Sequence, residues 1–407
     1  MRLDLDFVRA QFPAFQEPGL RNRVHAENAG GSFPCRQVIW RLHRFYRERK
    51  VQPGFDYAAS RTAQDEMDEA RWRLAPMLGI EVGELHFGPS TTANAYVMAN
   101  AVRQMLRGEG RPGVVVVTDQ DHEASGEHWR RLAGDGAEVR EWRMRDGSLR
   151  LEDLRPLLEG ADVLTFPHVS DVVGEVNDAA AICAATRRAG AMTVVDGVNA
   201  APHGLPNVRK LGADVYLFSA HKTFGPHQGL MAVGKEAASR LPSQGQGDDA
   251  IQPGIRFAPA GADHAQVAAC AGIADYLDAL YAHHEKAGRD GAGRAGVIGG
   301  WMREQEVGAM TPVLDWASGR NDVRLLGPPG AKGRVPTMAF EMPKAGAAYV
   351  APLAALGVMA AGQGLHARRT LRALGIDPAH GVLRISFAHY TSEADGARVA
   401  QALDAVA

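Results

Sequence analysis

The chain has 407 residues, with 45 Lys and Arg set against 47 Asp and Glu and a formal net charge of −2, a balance that excludes an electrostatic claim on nucleic acid or on an anionic membrane surface. Hydrophobic residues make up 45% and charged residues 23%, an ordinary globular composition with chain enough for two domains, or for one large domain with an appendage. No apolar run approaches the ~20 residues of a membrane span, and the opening segment MRLDLDFVRAQFPAF carries acids and a proline where a signal peptide needs an unbroken apolar stretch. A cytoplasmic protein is expected. Cys35, Cys183 and Cys270 are widely spaced and odd in number, so they suit neither a disulfide framework nor a metal-type pair and should pack as small apolar residues. No metal site is expected, because His122 and His128 do not have the spacing of a ligating helix face.

Along the chain, the stretch from about residue 75 to 235 alternates strand with helix. GELHFGPS (83–90) is a short strand running into a small-residue turn, and TTANAYVMANAVRQML (91–106) continues as a helix. GVVVVTDQDHEAS (113–125) is an apolar strand ending in polar residues. ADVLTFPHVSD (161–171), the helical DAAAICAATRRAG (178–190), AMTVVDGVNAAPHG (191–204) and ADVYLFSAHKTFG (213–225) follow. Continuous apolar strands separated by helices predict a mostly parallel, doubly wound α/β sheet covered on both faces. In such sheets ligands bind beyond the carboxyl ends of the strands. Ser90 to Thr92, His122, Ser170 with Asp171, Asp196, and His221 with Lys222 each stand at one of those ends. Residues 262–284 read as a helix, and KAGRDGAGRAGVIGG (286–300) reads as a glycine-rich junction. That junction contains a formal dinucleotide fingerprint, GAGRAG (291–296), but no strand precedes it. From about 300 onward strands (VPTMAFEM, GVLRISFAHY) mix with helices (AYVAPLAALGVMA, EADGARVAQALDAV), a smaller α+β domain. The expected division is a large domain over 16–285 and a small domain formed by 1–15 and 286–407.

Lys222 is the residue that asks for a function. An ammonium at the mouth of a core strand is costly to bury; a site that needs a neutral amine, as Schiff-base former or base, accounts for it. Burial and a neighbouring cation would lower its pKa, and His221 is a candidate for part of that bias. Asp196 ends an earlier apolar strand and is equally costly unless it meets a cation. A strand-end Asp and a strand-end Lys are what pyridoxal 5′-phosphate requires, one to hold the ring nitrogen protonated and the other to carry the aldehyde. Ser90, Thr91 and Thr92 at a helix start offer N–H groups and hydroxyls to its phosphate, although the same residues would serve as helix caps. His122 suits stacking on the ring or a structural role, and Asp171 and Asn199 suit the phenolic oxygen edge. Whether His227, His366, Arg368 and Arg369 touch substrate or are merely solvated stays open.

These motifs resemble the class V aminotransferase family, and specifically the cysteine-desulfurase-like branch of fold-type I pyridoxal-phosphate enzymes. The carriers are ENAGGS (27–32), FGPSTTANA (87–95), DHEAS (121–125), HVSDVVGEVND (168–178), VDGVNAAPH (195–203), SAHKTFGPHQG (219–229) and VLRISFAHYTS (382–392). The resemblance implies that Lys222 forms the internal aldimine, Asp196 meets the pyridine nitrogen, His122 stacks on the ring, and Thr91, Thr92, Ser219 and His221 hold the phosphate. It further implies that Arg384 takes the substrate α-carboxylate, with Asn28 and Ala29 lining the same end, and that the protein is a homodimer acting on a small amino acid. Arg384 paired inside the small domain is the alternative reading. The chain departs from the branch in three places. GVMAAGQGLHARRTLRALG (357–375) has no cysteine where desulfurases carry their sulfur acceptor. Asp171 stands where Asn is usual and Asn199 where Gln is usual; an acid facing the phenolic oxygen is expected to be protonated or turned away. RFAPAGADH (256–264) lacks the Thr that a neighbouring subunit lends to the phosphate, leaving the Gly261 backbone as its substitute. The implied function is a desulfurase-like lyase, C–S or other β-elimination, without a loop cysteine; the alternatives are a class V aminotransferase, an amino-acid epimerase and, more remotely, a non-catalytic binding protein on the same fold or a nicotinamide dehydrogenase.

Overall fold

The computed structural model describes residues 3–245 and 253–407. Its thirteen described strands are β1 Val24–His25, β2 Leu85–Gly88, β3 Val114–Thr118, β4 Glu138–Trp142, β5 Val163–Pro167, β6 Met192–Asp196, β7 Val215–Ser219, β8 Gly229–Val233, β9 Arg324–Leu325, β10 Thr337–Glu341, β11 Val358–Met359, β12 Ala361–Gln363 and β13 Val382–Ser386. Seven form one sheet in the order β2-β8-β7-β6-β5-β3-β4. Only β8 runs antiparallel to its neighbours; the other adjacent pairs are parallel. The sheet is buried on both faces because successive residues of each strand enter different cores. Val116, Val195, Tyr216 and Phe218 join one apolar cluster, while Val115, Val117, Val194, Val215 and Leu217 join the other. Each such side chain taken fully out of water contributes about 1.5–3 kcal/mol, which is why these strands are apolar without alternation.

The smaller unit has a four-stranded antiparallel sheet, β12-β13-β10-β9, and a two-stranded parallel one, β1-β11. Helices Gly291–Ser318 and Glu393–Val406 pack against them through Met310, Val313, Val399 and Leu403, meeting Met338, Phe340, Leu383 and Ile385. Three elements cross the expected division between the units. The N-terminal helix Leu5–Ala10, expected in the small domain, joins the large core with Val8, flanked by Leu3 and Phe12. β1 pairs with β11, so residues 24–25 extend the small unit's packing. The first half of the helix Gly291–Ser318 (Ala295, Ile298, Trp301, Met302) belongs to the large core and its second half (Ala309 to Ala317) to the small one.

The glycine-rich junction expected over 286–300 is a correction. Gly291–Gly296 opens the 28-residue helix Gly291–Ser318, capped by Asp290, whose Oδ1 accepts from the Gly293 N–H at 2.7 Å. Gly291 is there for close packing: a Cβ on it would lie 2.8 Å from the Pro76 carbonyl carbon and 3.0 Å from the Met77 nitrogen. The fingerprint therefore makes no strand-to-helix phosphate turn. The helix expected over 262–284 is two, His264–Ala269 and Ala271–His284. Among the described residues no helix is long and apolar enough to cross a membrane.

Candidate active site

The carboxyl ends of β5, β6 and β7 converge on a cavity of about 350 Å³. β6 sits between β5 and β7, and its last residue, Asp196, pairs with Pro167 and Leu217, so its carboxyl group is set at the floor. Asp196 is 9% exposed and accepts one hydrogen bond, from the Val198 N–H at 3.0 Å. Burial pushes its pKa up; His122 and Lys222 pull it back and Asp171 adds to the rise. Among the described residues no cation forms an ion pair with it, so the floor of the cavity is a carboxylate in want of one.

Lys222 closes the 3₁₀ turn Ala220–Lys222 at the end of β7. The turn is held by Thr223, whose hydroxyl donates to Ser219 O at 3.1 Å, and by Ser32, whose hydroxyl donates to Lys222 O at 2.6 Å. Phe224 follows in the left-handed region at φ 62°, a conformation that costs a non-glycine residue about 1–3 kcal/mol. Its ring packs edge-on to Phe12 and His389, with centroids 5.7 and 4.8 Å away. The Lys222 amine reaches Asn199 Oδ1 at 3.4 Å. Burial lowers its pKa and the Arg384 charge lowers it further, while Asp171, Asp196 and Glu27 oppose the shift. Burial, Lys222 and His227 take His221 down to about 4, so its ring is a neutral donor or acceptor at pH 7. His221 and His227 stack, with centroids 4.8 Å apart.

Ser90 caps the helix Thr91–Gly108, its hydroxyl accepting from the Ala93 N–H at 3.1 Å. The Thr91 and Ser219 hydroxyls meet at 2.6 Å, joining the helix start to the end of β7. Gly229 permits this closeness, since a Cβ there would lie 2.7 Å from Thr91 N. Free N–H groups, the helix dipole and three hydroxyls at one point form an anion cradle. On the opposite wall His122 caps the helix Glu123–Arg130; the Ala124 N–H donates to its Nδ1 at 3.1 Å, which fixes the proton of the neutral ring on Nε2. Leu365 and His366 reach the same cavity from a loop in which both are left-handed, at φ 52° and 54°. That loop is moored on the helix start by the Glu123 N–H donating to His366 O at 3.1 Å and by Arg368, which binds the Glu123 carboxylate at 2.8 Å.

The sequence-derived residues fall as follows. Ser90, Thr91, Thr92, His122, Asp171, Asp196, Asn199, Ser219, His221, Lys222, Ala29 and Arg384 all line the cavity. Asn28 does not. It is 3% exposed, its amide donates to His25 O at 3.0 Å and Ser386 O at 3.2 Å, and its Oδ1 accepts from the Tyr390 hydroxyl; these bonds turn it into the domain junction. Asp171 is not turned away: it lines the cavity, and its Oδ2 stands 3.8 Å from Arg384 Nη1. His227 and His366 line the cavity, whereas Arg368 and Arg369 pair with Glu123 and Glu127 at 2.8 and 2.9 Å. Gly261 is exposed and does not line this chain's cavity. Glu27, also a lining residue, escaped sequence reasoning; the Gly30–Gly31 pair just after it is the one signal that something approaches closely. The three cysteines are buried away from the cavity, and burial takes the Cys35 and Cys183 thiols up to about 12. Among the described residues no group of three or more His, Cys, Asp or Glu could hold a metal ion.

The chain belongs to the class V aminotransferases: the family's sequence profile, "Aminotransferase class-V", matches residues 24–256. The family uses pyridoxal 5′-phosphate, and this cavity fits the group on its own terms, with an unpaired buried carboxylate for a cationic ring nitrogen, a buried lysine for an aldehyde and an anion cradle for a phosphate. An aminotransferase-like protein of Gibberella zeae is 31% identical over 251 residues, 59% of this chain and 60% of its own. A cysteine desulfurase of Yersinia pseudotuberculosis is 30% identical over 244 residues, 58% of this chain and 59% of its own. These matches thus span about three fifths of the curated relatives' length. The fold is shared more widely: a cysteine desulfurase from Thermococcus onnurineus superposes with a TM-score of 0.85 at 21% identity, covering 100% of this chain and 98% of that one.

Proposed function

We propose that the protein is a pyridoxal-phosphate enzyme that binds an α-amino acid and expels a substituent from Cβ, a desulfurase-like lyase with no cysteine of its own in the relay. The observation that carries this reading is what lines the cavity among the described residues: the Lys222 amine and the imidazoles of His122, His221, His227 and His366, with none of the three cysteines. The bound cofactor would supply an electron-poor ring that accepts the bonding pair of the substrate Cα–H. Lys222, whose pKa burial and the nearby Arg384 charge lower, takes the Cα proton. Asp196 holds the ring nitrogen in its protonated form. Thr91, Thr92, Ser219 and His221 hold the phosphate, and Arg384 anchors the α-carboxylate. As the Cβ–X bond breaks its electron pair leaves with X, which receives a proton from His122 Nε2 or from His366. A second copy of the chain is the partner this reading includes; Trp40, Tyr46, Phe55, Tyr57 and Trp72 stand 47–57% exposed, and apolar faces of this kind are covered in oligomers. The test is to incubate the cofactor-loaded protein with cysteine and β-chloroalanine. Elimination releases a keto acid, ammonia and the leaving group together. Retention of the nitrogen on the protein would assign transamination, and inversion at Cα alone would assign epimerisation; either result overturns the lyase reading.

A further inference from the structure

Arg384 lies on β13 between two alanines, Ala339 on β10 and Ala361 on β12, so its guanidinium has no side-chain partner within its own sheet. It is 5% exposed, and a buried cation must find partners elsewhere. Nη1 donates to Asp171 O at 3.1 Å, and Nη2 donates to Glu27 Oε1 at 2.7 Å. Nε is buried with no hydrogen-bond partner. The Glu27 side chain is 31% exposed and opens on the cavity. Its carboxylate occupies the space that a Cβ on Gly30 would need, so the turn is built to admit it.

We propose that Glu27 is a resident substitute for the substrate carboxylate, displaced from Arg384 when an amino acid binds, and that it then selects against substrates bearing a second acid. The proposal rests on Arg384 being the carboxylate anchor. Glu27 takes only one of the two donors, Nη2 and Nε, that a guanidinium offers side-on. An incoming carboxylate takes both, and this second charge-assisted bond favours the exchange. No net charge is buried, because one carboxylate replaces another on the same cation. Once released, Glu27 remains at the cavity wall with Asp171, and a side-chain carboxylate on the substrate would meet these two acids with Arg384 already engaged. Amino acids with neutral or cationic side chains are therefore the accepted class.

The probes are 2-methylalanine and 2-methylaspartate, which carry no Cα hydrogen and so bind without turnover. Calorimetry on the cofactor-loaded protein gives their Kd for wild type, Glu27→Gln, Glu27→Ala and Arg384→Gln. Glu27→Gln should tighten 2-methylalanine about tenfold, equivalent to about 1.4 kcal/mol, and should reduce the preference for it over 2-methylaspartate by a similar factor. Glu27→Ala should shift both in the same direction. Unchanged or weaker binding of 2-methylalanine in both variants would mean that Glu27 only aligns Arg384, and would overturn the proposal. Unchanged binding in Arg384→Gln would remove the anchor itself, a failure distinguishable from that of Glu27.

Discussion

Asp196→Asn should move two observables in opposite directions. In the cofactor-free protein the Asp196 carboxyl is buried with a single N–H donor and no counter-cation, and burial disfavours its charged form. Asn is nearly isosteric and carries no charge, so the cofactor-free variant should melt at a temperature equal to or above that of wild type at pH 8. In the loaded protein the proposed function would set the same carboxylate against a cationic ring nitrogen. Removing one member of a buried pair costs about 3–5 kcal/mol, and at about 1.4 kcal/mol per decade the rate of Cα–H cleavage should fall by roughly two to four powers of ten. Exchange of the Cα proton for solvent deuterium, followed by NMR, reads that step whatever the fate of the substrate. Exchange within threefold of wild type, or a clearly lowered melting temperature of the cofactor-free variant, would refute the assignment of Asp196.

Ser219→Ala removes the hydroxyl that meets Thr91 at 2.6 Å; a hydrogen bond to a charged group is worth about 1.5–3 kcal/mol, so equilibrium dialysis should show cofactor Kd raised roughly 10–100-fold. His366→Gln should slow release of a poor leaving group such as a thiolate by about 10²–10⁴-fold, the range for general acid–base catalysis, while chloride release from β-chloroalanine, which needs no proton, stays near wild type. Equal slowing of both would assign His366 a purely structural part. Burial lifts Asp119 to about 6 and Asp121 to about 7; both folded values lie above the unfolded ones, so their stabilisation is complete below about pH 4 and is lost as pH rises through 6 to 7. The melting temperature of the cofactor-free protein should accordingly fall over that window, less steeply in Asp121→Asn, and equal slopes would contradict the account.

The large sheet was legible because β3, β5, β6 and β7 are buried on both faces, a demand that leaves unbroken apolar runs in the sequence. β4 was not singled out: as an edge strand with Glu138 exposed and Trp142 buried, it mixes charged with apolar residues. β8 hides behind a glycine and proline turn. Lys222 and Asp196 stood out because charge at the end of an apolar strand is expensive, and that expense is visible without coordinates. Glu27 was invisible for the opposite reason. Its meaning comes from a bond to Arg384, 357 residues away, which no local pattern encodes. Asn28 was misjudged by the same blindness, since it is Tyr390 and Ser386 that draw it out of the cavity. The glycines of 291–296 read as a loop because their use, a helix start seated against Pro76, is again tertiary.

Reductive fixation of the cofactor tests the central claim most directly. Borohydride treatment of the loaded protein, then proteolysis and mass spectrometry, should place the added cofactor mass on the peptide containing Lys222, and Lys222→Ala should carry none. Fixation at a different lysine, or a loaded wild-type protein that takes no label, would contradict the role given to that amine.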